Sequence, residues 1–255
     1  MEHFFGIDTF NFLLLALLVG FAAGLIKGVV GFGVPTVLML GISSFASAEV
    51  ALAALILPAL LTNGWQALRQ GPGAAWASVK QYRVFVAVLL AVLVCSAQLV
   101  PVIPESVLLL IVGVAVSVFV GSQIIGYEQR LPTQGAQKTQ AGFGALAGFL
   151  GGVSGIWGPP TVAMLTAMRT DKTEAVRVQG VIYGLGAVAL LVGHLSSGVL
   201  RSDTAPLSLV LISPALLGLW VGFQIHDRID QSTFRKATLV LLLLAGLNLI
   251  RRGIF

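Results

Sequence analysis

Apolar residues run through the chain in long stretches, near residues 10–46, 48–68, 84–100, 106–126, 141–167, 176–194, 206–225 and 237–250. Most approach the roughly 20 residues a helix needs to cross a bilayer, and none shows the strict alternation of a lipid-facing β-barrel strand. The pattern predicts an all-α, polytopic membrane protein built as two sets of four segments. Between the sets lies 127–140, "YEQRLPTQGAQKTQ", the one linker-like stretch. The expected layout is therefore 1–126 as a first repeat, 127–140 as a cytoplasmic linker and 141–255 as a second repeat within one membrane domain.

The first segment of each set is interrupted by glycine and proline. Residues 24–36 read "GLIKGVVGFGVPT" and residues 148–161 read "GFLGGVSGIWGPPT". Gly20, Gly24, Gly28 and Gly31 match Gly144, Gly148, Gly152 and Gly155 at a constant offset. After one inserted residue, Gly33, Pro35 and Thr36 match Gly158, Pro160 and Thr161, and Glu49 matches Glu174. This is an internal duplication. Gly20, Gly24 and Gly28, and Gly144, Gly148 and Gly152, each four positions apart, share a helix face and permit close backbone approach. Pro58 and Pro214 lie inside other segments, where they are expected to kink helices whose freed carbonyls find partners on neighbours.

Composition agrees with the pattern. With 57% hydrophobic and 10% charged residues and a mean hydropathy of +0.97, the chain is no ordinary water-soluble domain. The net charge of +5 comes from basic residues scattered among short loops, without the cluster or aromatic platform of a nucleic-acid binder. Cys95 reads as a small core residue. The start, "MEHFFGIDTFN", lacks the positive region of a cleavable signal peptide.

Charge also decides between two topologies, because cytoplasmic loops carry the excess of Lys and Arg. With four crossings per set the split is eight against six. If 10–46 and 141–167 each leave and return to the same side, loops 69–83, 127–140, 169–177 and 226–236 fall together with eleven basic residues. Only Arg201, Arg251 and Arg252 then lie opposite. The second arrangement predicts a broken, re-entrant hairpin plus three crossings in each half, the second half inverted relative to the first. Both termini are then non-cytoplasmic, in a cell (inner) membrane.

Several residues can carry chemistry within this frame. Pro35-Thr36 and Pro160-Thr161 suit the first turn of a helix, so each break is expected to end in a helix N-terminus, which presents N–H groups and partial positive charge to an anion. Thr36, Thr161 and Ser154 add hydroxyls. Lys27 has no basic counterpart, since Gly151 occupies its aligned position. It lies roughly 25 Å along a helix from the start of its segment, either near the broken region inside the bundle or snorkelling at the far interface. The candidate substrate-binding set is Lys27, Gly28, Gly31, Gly33, Pro35, Thr36, Gly152, Ser154, Gly155, Trp157, Gly158, Pro160 and Thr161. Trp157, at the inserted position, either closes the second site or marks an interface. Asn63, Gln179 and Tyr183, with Gln66 and His194, line a pathway or make interhelical hydrogen bonds. Glu49 and Glu174 open the segments after the hairpins, where a carboxylate suits a helix N-terminus.

Enzyme signatures are missing from the sequence. There is no G-x-x-x-x-G-K-[ST] loop, and His3, His194 and His226 are isolated, so neither an ATPase nor a metal site is expected. No cofactor is expected. Ser154 has a glycine-rich setting but no evident histidine base.

The two glycine-rich breaks followed by proline, "GLIKGVVGFGVP" and "GGVSGIWGPP", together with the size and the two four-segment halves, resemble the sulfite exporter TauE/SafE family. Where that family usually carries three glycines, this chain has Gly31-Phe32-Gly33-Val34 and Ile156-Trp157-Gly158-Pro159. The resemblance implies a membrane permease for sulfite, sulfonates or related sulfur anions. The expected function is thus secondary transport, with export as the leading direction, of a small anion bound near the midplane between two broken hairpins. A channel-like anion pore, a transporter of small carboxylates or other metabolites, and a partner-recruiting membrane protein are the alternatives. Coupling to a proton or sodium ion and assembly as a homo-oligomer are left open.

Overall fold

A computed structural model describes residues 10–42, 44–46, 48–97, 136–154, 157–196 and 204–254, with 106–107, 110, 113–114, 117–118, 120–121, 200 and 202. Among these residues every regular element is helical. The helices are α1 (Phe10–Val30), α2 (Val34–Ile42), α3 (Ala48–Leu68), α4 (Pro72–Gln81), α5 (Arg83–Ala97), α6 (Ala136–Ser154), α7 (Gly158–Ala167), α8 (Lys172–Ser196), α9 (Ala205–Arg228) and α10 (Gln231–Ile254). Four of them contain stretches long and apolar enough to cross a membrane: Asn11–Val30, Val50–Leu68, Ala205–Arg228 and Gln231–Ile254. The pair α4 and α5, bent by 72°, makes a fifth if it is one span.

Both predicted breaks are present. Helix α1 stops at Val30, and Gly31 and Gly33 take φ of +90° and +113°, a region open to glycine without steric cost. The chain then doubles back, because Gly41 of α2 lies against Val19 of α1. In the second half α6 ends at Ser154 and α7 starts at Gly158 with Pro159 and Pro160 in its first turn.

The sequence reading of 69–83 as a loop is corrected. Most of that stretch is helix α4, entered through Gly71 at φ +87° and started by Pro72, whose missing N–H costs nothing in a first turn. Its charge and polarity hid it from a hydropathy pattern. Lys80 lies over the exposed Trp76 ring at 5.7 Å, as suits a helix with one wet side. Elsewhere helices outrun their apolar stretches. Helices α8 and α10 start several residues before residues 176 and 237 because Asp171 and Asp230 cap them: Thr173 N donates to Asp171 Oδ1 and Thr233 N to Asp230 Oδ1, both at 2.8 Å. Hydrogen bonds from the Thr233 side chain and backbone hold the Asp230 carboxyl below its ordinary range, so this capping is complete at neutral pH and fades as pH falls through that lowered value. Glu174 does lie in the first turn of α8, but Asp171 caps the helix, and Glu174 accepts instead from Gln81 Nε2 and Tyr82 Oη at 2.7 and 3.1 Å. Cys95, expected in the core, is exposed on α5. Facing lipid is no penalty for an apolar thiol, so its hydrophobicity cannot place it. The linker 127–135 and the side chains of Glu49 and His194 lie outside the described residues, while 136–140 form the first turn of α6.

The helices gather into two compact units. One holds α1, α2, α3, the first turn of α4, α9 and α8 from Val176 onward; the other holds α4 from Trp76, α5, α6, α7, α10 and the first turn of α8. In the first unit α1 crosses α9 at glycine-to-backbone distance. A Cβ on Gly24 would stand 2.0 Å from Ala215 O, one on Gly218 2.0 Å from Phe21 O, and one on Gly28 2.7 Å from Gly222 Cα. In the second unit α6 crosses α5 in the same way, Gly144 against Phe85 O and Gly148 against Leu89 O. Gly20 and Gly24 face Leu211 and Ala215, which follow Phe85 and Leu89 by 126 positions each, so matched glycines meet matched partners. The glycine ladder of each half is thus spent on a helix of the other half.

Pro58 leaves Ala54 O in α3 without its helical donor. Ser208 of α9 supplies one at 3.2 Å and accepts from Leu57 N at 3.1 Å. Ser208→Ala is therefore expected to leave the buried Ala54 O without a donor and lower stability by about 1–3 kcal/mol, measurable as a fall in Tm of the detergent-purified protein. Gly24→Val would drive a branched side chain into Ala215 O and is expected to abolish recovery of monodisperse protein, checked by size-exclusion chromatography.

Candidate functional site

Helix α1 carries Lys27 in its last turn, four residues before the break. Gly31 N closes that turn on Lys27 O at 2.6 Å, and the left-handed backbone at Gly31 then swings the chain away. The snorkelling alternative is excluded: Lys27 is 1% exposed. Its Nζ donates to Asn63 Oδ1 at 2.5 Å and lies 3.5 Å from Gly31 O and 5.7 Å from the centre of the Tyr183 ring. No carboxylate among the described residues contacts it. An amine so enclosed is costly to charge unless an anion joins it, which makes the position a functional candidate.

Two glutamines complete the cluster. Gln66, one turn beyond Asn63 on α3, donates from Nε2 to Gly31 O at 2.9 Å and to Val176 O at 2.5 Å, tying the break to both α3 and α8. Gln179 of α8 packs on Gly31 so closely that a Cβ there would stand 2.7 Å from its Oε1. Gln66 Oε1 and Gln179 Oε1 are buried, with no hydrogen-bond partner among the described residues. Gly180 brings α8 against the Gln66–Ala67 backbone of α3, which lets residues of both helices reach one point. Asn63, Gln66, Gln179 and Tyr183, scattered over 120 positions, thus meet around Lys27 and Gly31.

The other expected residues divide. Gly28 is turned to α9 and serves the helix crossing. Gly33 and Phe32 are half-buried, whereas Pro35 and Thr36, in the first turn of α2, are exposed. In the second unit Pro160 and Thr161 are buried, and Thr161 Oγ1 is engaged by donation to Trp157 O at 2.8 Å, within its own first turn. Trp157 is the N-cap residue of α7, without a side-chain capping bond, and is half-buried; Gly158 opens the helix. Gly152 and Ser154 belong to the last turn of α6, their side chains outside the described residues, as is the whole of Gly155.

Sequence reasoning missed the layer one turn below. Arg69 pairs with Asp227 and lies 4.1 Å from the centre of the Phe223 ring, which Trp65 meets edge-on. Arg177 bonds Gln70. On α9, His226 Nδ1 is 3.0 Å from Val29 O. These residues sit at helix ends, where charge is ordinary, so their sequence gave no sign that they meet.

Apolar helices long enough to cross a membrane, with a lysine enclosed among neutral polar groups at a broken helix, are the build of a multi-pass membrane protein. The particular family follows from comparison: the sulfite exporter TauE/SafE model matches residues 16–249, nearly the whole chain, and the protein belongs to that family. It is a family of membrane transporters of sulfur anions. No curated protein and no solved structure matches the chain.

Removing the acceptor of Lys27 tests the cluster. Asn63→Leu is expected to destabilise the protein by about 2 kcal/mol, and adding Lys27→Met to recover most of that loss, since an apolar pair leaves nothing unsatisfied. Thermal unfolding of the two single variants and the double variant measures the coupling; strict additivity would mean that the two side chains do not interact.

Proposed function

We propose that the protein is a secondary transporter of small anions, with sulfur oxyanions and organosulfonates as its substrate class, working from the cell (inner) membrane in the export direction. The carrying observation is Lys27, enclosed at a helix break without a carboxylate partner. Asn63, Gln66, Gln179 and Tyr183 position the lysine and face the anion, and Gly31 and Gly33 give the break its bend. The start of α2 at Val34, Pro35 and Thr36 contributes partial positive charge. Thr161, Trp157, Gly158 and Pro160, with Gly152, Ser154 and Gly155, form the corresponding break of the second half.

In this reading 1–126 and 141–255 are inverted repeats joined by a cytoplasmic linker at 127–140, each a re-entrant hairpin plus three spans, with both termini non-cytoplasmic. The matched glycine crossings and the eleven-to-three division of basic residues support it. Burial of Lys27 accords with an occluded stage of alternating access. Catalysis has no place in the scheme.

Counterflow in proteoliposomes loaded with sulfite, methanesulfonate or a small carboxylate tests the reading. Saturable exchange of sulfur anions is expected, reduced at least tenfold by Lys27→Ala and partly kept by Lys27→Arg. Unsaturable flux would point to a pore, preference for carboxylates would move the substrate class, and no flux of any anion would remove the proposal.

A further inference from the structure

We propose that the Lys27 site selects a singly charged oxyanion that keeps one acidic hydrogen, hydrogensulfite being the sulfur member of the class, over the doubly charged form of the same anion. The inference rests on the anion-site reading of Lys27 and adds the charge and protonation state of the ligand.

Charge is the first observation. The groups at Lys27 are Asn63, Gln66, Gln179, Tyr183 and the Gly31 carbonyl, all neutral at physiological pH. The neighbouring cations are committed elsewhere: Arg69 to Asp227, Arg177 to Gln70. Helix α2 has no titratable residue, and α9 offers His226, which contacts Val29 O. One buried ammonium neutralises one negative charge. A dianion would leave a net charge enclosed in a low-dielectric interior, at a cost that grows steeply with burial.

The second observation is the kind of hydrogen-bonding atom left over. Gln66 spends both amide hydrogens on Gly31 O and Val176 O, which fixes its oxygen as the surplus atom. Gln66 Oε1 is an enclosed acceptor without a donor among the described residues, and the Gln179 side-chain amide, whose Oε1 is also buried and unpaired, lies against Gly31. A dianion carries acceptors alone and would add repulsion at the Gln66 oxygen to its uncompensated second charge, whereas a sulfonate monoanion meets the same oxygen with its charge neutralised by Lys27. An oxyanion that retains a hydrogen satisfies one of these amide oxygens while its charged oxygens face Lys27. The same amide oxygens would reject sulfate, which at neutral pH has neither the single charge nor the hydrogen. A proton then crosses the membrane bonded to each anion carried, so flux of the singly charged form moves acid equivalents without a separate coupling ion.

The test is inhibition of labelled sulfite counterflow in proteoliposomes of the full chain, with the pH stepped across the second dissociation of sulfurous acid, which lies near neutrality. Unlabelled sulfite, sulfate and methanesulfonate are the competitors. Methanesulfonate is a monoanion at every pH used and has no acidic hydrogen, so it reports any change in the protein itself. Sulfite is expected to weaken about tenfold per pH unit above that dissociation relative to methanesulfonate, with sulfate failing to compete. Gln179→Leu should narrow the preference for hydrogensulfite over methanesulfonate about tenfold, the value of one hydrogen bond. A packing role for Gln179 would instead lower both anions alike. Sulfite competition that follows methanesulfonate at all pH values, or sulfate competing equally, would overturn the selection while leaving anion transport standing; no counterflow with any anion would overturn the reading beneath it.

Discussion

Helices α1 and α9 lie closer together than any side chain would allow, and the position of everything around the break follows from that crossing. Lipid gives helices no hydrophobic reason to associate, so contact area and backbone approach must hold them together. Gly24, Gly28, Gly218 and Gly222 supply both by presenting bare backbone to bare backbone. With α1 pinned along this face, its last turn places Lys27 toward α3 and α8. The glycines that look like a binding motif are therefore divided in use: Gly24 and Gly28 hold the helix, and Gly31 and Gly33 turn the chain.

Around Lys27 the polar groups compensate one another in a way an apolar bundle requires. Asn63 accepts from the amine, Gln66 bridges the break to α8, and Ser208 repairs the proline-broken stretch of α3 from α9. Each bond joins elements far apart in the chain. Breaks in a membrane helix survive only where such partners exist, so the irregular backbone and the polar cluster require each other. Two glutamine oxygens, Gln66 Oε1 and Gln179 Oε1, are left without a donor among the described residues. A protein that enclosed them for stability alone would have used hydrocarbon there.

The exchange of helices between halves gives the duplication a mechanical meaning. The first helix of each half is held by a helix of the other, through equivalent glycines and equivalent carbonyls. Asymmetry enters at the breaks, where Lys27 has Gly151 at its aligned position and the inserted Trp157 has no counterpart in the first copy.

Much of this was legible in the chain itself. The apolar stretches predicted the helices, the repeated glycines predicted both breaks and the close crossings, and Pro58 predicted a carbonyl in need of a donor. These are local properties of covalent geometry and of a solvent that tolerates no unpaired backbone. Helix α4 and the capped polar turns at Asp171 and Asp230 escaped because hydropathy sees only what must avoid water, and Cys95 was misplaced because lipid and core are equally apolar to it. What only the tertiary structure decided is the company of Lys27. Asn63, Gln66, Gln179 and Tyr183 were visible singly as polar residues in apolar helices, but which of them meet depends on how α1, α3 and α8 pack around one glycine, and no local rule of sequence contains that.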